Sequence, residues 1–310
     1  MARIGSSNEE AFALLAILAS VLALLFTPAT GSRSKNPPNA VAIDQSLLVE
    51  FQEAVPFRDV YSILWGHSNA NELEDGKSIQ LVLDRHSGSG FKSKEAFQGG
   101  FFSASIKLPS NYTAGVVTAF YASNSDKFPD KHDEIDFEFL GVVPGMPYVL
   151  QTNVYGNGSV RTGREERIRL WFDPSLEFHR YSVLWNQHHI VFFVDDVPIR
   201  QMIKTKEAED YPWKPMSVLA TIWDGSNWAT SGGKFPVDYN RAPFVASFTN
   251  LKLFRDSSVY SINDRISEAE FGKQGLRGTQ KSRLAWVRRK FLSYTYCNDK
   301  MRYPKPLPEC

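Results

Sequence analysis

Charge of one sign, cysteine and long apolar runs are all scarce in this chain of 310 residues. Lys and Arg total 35 against 34 Asp and Glu, for a formal net charge of +1, so there is no basic excess of the kind that nucleic acid attracts. Nucleic acid is thereby set aside as a partner, and a near-neutral balance suits a neutral substrate. Cysteine is limited to Cys297 and Cys310. In an exported chain an even number favours a disulfide. The one long apolar run, Phe12 to Phe26, is fifteen uncharged residues, short of the roughly 20 that span a bilayer comfortably. No internal repeat, low-complexity tract or long amphipathic helix is visible between Val41 and Phe254.

What is present is aromatic: 22 Phe, 12 Tyr and 7 Trp. Part of these fill a core, and sugar-binding clefts also use aromatic faces as apolar platforms. The length is ample for one large globular domain. Residues 1–31, with Arg3 before the apolar run and Thr27-Pro28-Ala29-Thr30-Gly31 after it, read as an export segment, either a cleaved signal peptide or a retained anchor. Residues 32–45, rich in Ser, Lys and Pro at their start, read as a flexible spacer. Across 46–256 the pattern is strand after strand. Ile79–Leu83, Phe101–Leu108, Val116–Tyr121, Ile190–Val194 and Phe248–Phe254 are β-branched or aromatic runs between Gly, Asn, Asp and Ser turns. Val194-Asp195-Asp196-Val197-Pro198 reads as a hairpin tip. The expected fold is all-β, a curved antiparallel β-sandwich or jelly roll. A short C-terminal extension over 257–310 follows, where Ser282 to Leu292 has helical spacing with its basic residues on a solvated face.

The stretch His132-Asp133-Glu134-Ile135-Asp136-Phe137-Glu138-Phe139-Leu140-Gly141 stands apart from these strands. From Glu134 to Phe139 acid and apolar alternate with period two, so on a strand Glu134, Asp136 and Glu138 share one face and Ile135, Phe137 and Phe139 the other. Three aligned carboxylates repel unless a proton or a ligand relieves them. An exposed acidic face or part of a calcium site is one reading. The other is glycoside hydrolysis, which sets two acids about one bond. Residues four apart on a flat strand have Cα atoms roughly 13–14 Å apart at about 3.4 Å per residue, whereas a retaining pair of carboxyls lies about 5–5.5 Å apart. Only a concave strand carrying long side chains closes that gap.

Asp133 to Gly141 resembles the catalytic signature of the plant xyloglucan endotransglucosylase/hydrolases, within glycoside hydrolase family 16. The likeness runs from about Phe51 to Cys310, through Trp65-Gly66, Ser87 to Phe91, Ile106 to Pro109, Leu170 to Pro174, Tyr181 to Asn186 and Asn227 to Thr230. It implies an enzyme that cleaves the β-1,4-glucan backbone of xyloglucan with retention and passes the fragment to another xyloglucan chain or to water. Glu134 would be the nucleophile, Glu138 the acid and then the base, and Asp136 the helper between them; no metal or organic cofactor is implied. Gln151 and Asn153 would hydrogen-bond sugar hydroxyls, although by alternation alone they could equally be satisfied strand groups. Gly163-Arg164-Glu165 matches an acceptor-side Asp-Arg-Glu motif, with Gly163 in place of Asp. Asn227, Trp228 and Gly232 match a further sugar-binding segment in which Asn227 replaces Asp; on spacing alone a lone Trp is more often core. Arg302 matches a sugar-binding arginine inside a loop closed by Cys297 and Cys310, while the second, internal disulfide of many members is missing. Of the sequons Asn111-Tyr112-Thr113 and Asn157-Gly158-Ser159, Asn157 is the better glycan candidate. The resemblance further implies a monomer secreted to the cell wall or apoplast, membrane-bound only if the leader is retained. A β-glucanase acting on another polysaccharide and a non-catalytic glycan-binding module are the competing readings.

Overall fold

The computed structural model describes residues 56–159, 162–206, 210–255 and 275–310; the leader and spacer lie outside them. One turn of helix, α1 (Phe57–Val60), leads into fifteen strands among these residues. They begin with β1 (Tyr61–Trp65), β2 (Ala70–Glu72), β3 (Ile79–Leu83), β4 (Ser89–Ser93), β5 (Gly100–Lys107), β6 (Val116–Ser123), β7 (Glu134–Leu140) and β8 (Val149–Tyr155). There follow β9 (Glu166–Arg169), β10 (His179–Trp185), β11 (His189–Val194), β12 (Val197–Ile203), β13 (Ser217–Asp224) and β14 (Phe244–Arg255). A helix, α2 (Gly278–Lys290), and a last strand, β15 (Leu292–Thr295), complete the chain. All five strand segments expected from the sequence are present. Asp195 and Asp196, both with positive φ (47° and 63°), make the expected hairpin tip between β11 and β12, the conformation that matches strand twist.

The strands form two antiparallel sheets in a jelly-roll sandwich. One has the order β1-β4-β13-β6-β7-β8-β9-β15 and the other β12-β11-β10-β5-β14-β3-β2. The acidic strand β7 is therefore interior, paired to β6 and β8 along its whole length. Its apolar face looks into the sandwich, where Ile135, Phe137 and Phe139 are 0–2% exposed. Phe137 meets the rings of Tyr181 and Phe192 of the facing sheet edge-on at 5.9 and 5.2 Å, and Phe139 meets Tyr181 at 4.6 Å. Each such buried ring contributes about 1.5–3 kcal/mol. A one-residue slip would turn these rings out and the acids in, so the packing determines the register.

The expected solvated face of the C-terminal helix holds for Arg289 and Lys290 but not for Arg283 and Arg288. In α2, Arg283 is buried with Gln280, Trp286 and Val287, and Arg288 donates to both oxygens of Glu166 at 3.0 and 2.8 Å. Lys281 and Arg289 do remain exposed. For Arg288 the reason is that the interior already holds a charge of each sign. Glu166 of β9 is buried, and so is Arg200 of β12, which donates to the Thr152 carbonyl and hydroxyl at 2.9 and 3.0 Å and lies 3.9 Å from Glu166. Buried charges need partners. The helix supplies one. The extension is also continuous with the sandwich, because β15 pairs with β9 and forms the edge of the β7 sheet. Cys297 and Cys310 are disulfide-bonded. Among the described residues no helix is long and apolar enough to cross a membrane. Asn111 and Asn157 are both exposed.

The start of β7 is held by Asp133, 1% exposed. Its carboxylate accepts from the backbone of Asn157, Trp213 and Lys214 at 2.7–2.8 Å and from Lys214 Nζ at 2.6 Å. Three chain segments thus meet on one side chain. Asp133→Ala would strand these donors, and chemical denaturation should show a loss of about 3–5 kcal/mol, the usual result of breaking a buried charged pair. A loss under 1 kcal/mol would contradict this account.

Candidate active site

Strand register converts the alternation of β7 into a grid. Across β6, β7 and β8 the opposed residues are Ser123–Glu134–Tyr155, Tyr121–Asp136–Asn153 and Ala119–Glu138–Gln151. All of these side chains stand on the outer face of the sheet. Glu134, Asp136 and Glu138 open into one cleft of about 550 Å³, together with Trp65, Tyr121, Gln151, Asn153, Tyr155, Glu165, Thr221, Trp223 and Trp228. The strands β1, β6, β7, β8 and β13 supply the floor of this cleft, and Glu165 and Trp228 join it from the segments before β9 and after β13.

The three acids differ in their surroundings. Asp136, 5% exposed, is held well above the usual carboxylate range by burial, then by the charges of Glu134 and Glu138, with Arg200 opposing. Glu134 is raised by burial and drawn back by a hydrogen bond from Ser123 and by His132. Glu138 is pushed up to about 7 by burial, against a hydrogen bond donated by Gln151 Nε2 to its Oε2 at 2.7 Å. The middle acid is thus the one most inclined to keep its proton, which lets the flanking pair share one face. Tyr121 and Tyr155 are held protonated by burial and by the neighbouring acids. Each is hydrogen-bonded to a neighbour lining the same cleft, Tyr121 to Thr221 and Tyr155 to Asn153.

Of the residues expected to bind sugar, the cleft gathers Glu138, Gln151, Asn153, Glu165 and Trp228. The side-chain oxygen of Asn153 accepts from the backbone N–H groups of Arg164 at 2.8 Å and Val154 at 2.9 Å, and its amide meets the Tyr155 hydroxyl. Arg164 itself is a correction. Its side chain is 1% exposed and paired with Glu309 and with Asp210 at 2.7 Å, so it anchors the C-terminal tail instead of lining the cleft. Gly163, Arg302, Asn227 and Gly232 also fall outside the cleft lining. Arg302 reaches its edge through Glu165, which it grips with Nη1 at 2.6 Å and Nη2 at 3.2 Å. A Cβ on Gly163 would sit 2.4 Å from both Arg302 Nη2 and Glu165 Oε1, so the glycine is what leaves room for this pair. Asn227 and Gly232 are exposed in the loop after β13.

Trp65, Tyr121, Tyr155 and Trp223 were given no role from sequence. The period-two rule carried past Gln151 and Asn153 would have found Tyr155, and the same rule places Trp223 beside Thr221. Tyr121 needed the pairing of β6 with β7, which only the register supplies. Trp223 packs against Trp228 with ring centroids 6.0 Å apart, making a paired aromatic wall where a single platform was expected. Among the described residues no group of three or more His, Cys, Asp or Glu has an arrangement able to hold a metal ion.

The sequence and the fold were compared with known proteins. Residues 57–241 match the model of glycosyl hydrolases family 16, and residues 264–310 match that of the xyloglucan endo-transglycosylase C-terminus. Probable xyloglucan endotransglucosylase/hydrolase protein 30 of Arabidopsis thaliana is 51% identical over 263 residues, covering 82% of this chain and 76% of that one. Protein 27 of the same series and organism is 49% identical over 261 residues, with 82% and 78% covered. Among solved structures, apo Crh5 transglycosylase shares the fold with a TM-score of 0.54 at 20% identity, over 66% of this chain and 82% of that one. The chain belongs to glycoside hydrolase family 16, and within it to the plant xyloglucan endotransglucosylase/hydrolases.

Proposed function

We propose that this chain cleaves the β-1,4-glucan backbone of xyloglucan with retention and transfers the fragment to another xyloglucan chain or to water, with Glu134 as nucleophile, Glu138 as acid and base, and Asp136 as helper. The observation that carries the residue roles is the row of three carboxyls on one strand face, opening into a single aromatic-walled cleft. Glu134, the acid with a hydroxyl donor and a nearby imidazole, is the one suited to be ionised. Its carboxylate attacks the anomeric carbon, the glycosidic C–O bond breaks, and the leaving oxygen takes the proton of Glu138. The resulting glycosyl ester persists until an acceptor hydroxyl arrives; Glu138, now a carboxylate, removes that hydroxyl's proton as it attacks and expels Glu134. Asp136 keeps its proton through both steps and spares the pair a third negative charge.

A β-glucanase acting on another polysaccharide would share the three acids. The match of residues 264–310 to the xyloglucan endo-transglycosylase C-terminus and the incorporation of β15 into the cleft sheet favour the xyloglucan reading. The paired tryptophans of the cleft wall suit a neutral sugar chain. The leader and two exposed sequons support secretion to the cell wall or apoplast, with membrane attachment if the leader is retained.

Incubation of xyloglucan with an excess of labelled xyloglucan oligosaccharide, followed by sizing, should move label into the polymer; shortening without label would indicate hydrolysis alone, and neither would refute the activity. Glu134→Gln should lower both reactions on the order of 10⁴–10⁶-fold, as deleting a covalent nucleophile does, while oligosaccharide binding by calorimetry persists. The pH profile should be bell-shaped. Activity falls as pH rises through about 7, where Glu138 loses the proton it must donate, and falls again on the acid side as Glu134 becomes protonated. A rate still rising above pH 8 would remove Glu138 from the acid role.

A further inference from the structure

The row that carries Glu138 does not end at Gln151. Register sets Gln151 opposite Arg167 of β9 and Arg167 opposite Tyr294 of β15, so one line of side chains crosses four strands from the cleft to the sheet edge. Gln151 Nε2 donates to Glu138 Oε2 at 2.7 Å, and Arg167 Nε donates to Gln151 Oε1 at 2.8 Å. The Arg167 guanidinium lies over the Tyr294 ring, 5.5 Å from its centre, and the Tyr294 hydroxyl donates to Asp299 at 2.9 Å. An irregularity between Leu292 and Tyr294 is what brings the tyrosine, and not Ser293, opposite the arginine.

An arginine offers donors only, so the amide oxygen of Gln151 must face Arg167 and its NH₂ must face Glu138. Without the arginine the amide is free to turn over and present its oxygen instead. The two orientations make opposite demands. A donor facing Oε2 requires that oxygen to accept, which leaves the acid proton on Oε1; an acceptor facing Oε2 would capture the proton in an internal hydrogen bond. We propose that Arg167, seated on Tyr294, is a positioning residue that fixes the Gln151 amide so that the proton Glu138 exchanges with the glycosidic oxygen is carried on Oε1. The proposal rests on the reading of Glu138 as the acid and base. The charged groups facing Glu138 are Glu134 on its own strand, Glu165 from the segment before β9 and Arg167 on β9; Asp136, Tyr121 from β6 and Tyr155 from β8 are the other titratable groups that feel it. Arg167 is the cation among them. It also ties the C-terminal extension to the chemistry, through its guanidinium on the Tyr294 ring and through a hydrogen bond from Ser293 Oγ to its carbonyl at 3.1 Å.

Arg167 is exposed, so its replacement leaves the core intact. The full chain, Arg167→Met, Arg167→Lys and Glu138→Gln would be compared on two donors. One is xyloglucan, whose leaving oxygen needs a proton, and the other an aryl xylogluco-oligosaccharide whose acidic phenol does not. General acid catalysis supplies about 10²–10⁴-fold, and Arg167→Met should lose on the order of tenfold of it in kcat on xyloglucan, with KM little changed and a smaller loss on the aryl donor. Its alkaline limb should move to higher pH, because the cation favouring the Glu138 carboxylate is gone, and Arg167→Lys should recover part of the rate. Equal loss on both donors with an unmoved limb would reduce Arg167 to a structural role, and a rise in KM alone would make it a sugar contact; either overturns the proposal. Glu138→Gln separates the two readings. Because Glu138 is also the base of the second step, the comparison is read on the first-turnover burst of phenol: if Glu138→Gln does not spare that burst, the acid assignment falls; if it spares it while Arg167→Met behaves as the parent, only the positioning role does.

Discussion

The packing of Ile135, Phe137 and Phe139 against the facing sheet is the constraint from which the cleft follows. Edge-on contacts with Tyr181 and Phe192 bury these side chains completely, and the period of a strand then leaves Glu134, Asp136 and Glu138 no direction but outward. Asp133 secures the first residue of the strand by hydrogen bonds to two distant segments. The apolar half of the motif sets the position of the acidic half. A chain that kept the three acids but weakened the three inward residues would lose the register before it lost the chemistry.

Holding three carboxyls in one row is tolerable because they are unequal. Asp136 is the most buried, and its proton removes one of the three charges. Hydrogen bonds from Ser123 and Gln151 serve the outer two. On the inward side, Arg200 places a positive charge inside the sandwich against β8, and Glu166, Arg288 and Thr295 complete the network around it. Such buried networks add little net stability but are strongly destabilising when one member is removed, so they specify an arrangement more than they strengthen it.

The C-terminal extension is therefore part of the working sheet. It supplies β15 as an edge, Arg288 as a partner for buried Glu166, Glu309 as a partner for buried Arg164, and Arg302 as the grip on Glu165. Gly163 belongs to the same arrangement, since a side chain there would displace the Arg302–Glu165 pair. Cys297–Cys310 closes the loop that presents this arginine. Residues far apart in the chain meet on one flank of the cleft.

Much of this was legible without coordinates. Period-two alternation marked β7, its acidic face and its apolar face; turn residues bounded the other strands; motif likeness named the family. Sequence alone determined these because they are local: a strand's side chains alternate whatever it packs against. Arg164 shows where local reading stops, since nothing around it says that Glu309 and Asp210 will enclose it. The same holds for Arg288 of α2, whose partner Glu166 lies on β9, more than 100 positions earlier. Tyr121 joins the cleft, and Arg167 meets Gln151, only through the pairing of strands. Which acid keeps its proton, which arginine is buried and which tryptophans form a wall were decided by tertiary structure, because burial and charge proximity are properties of the assembled sandwich and not of any one of its strands.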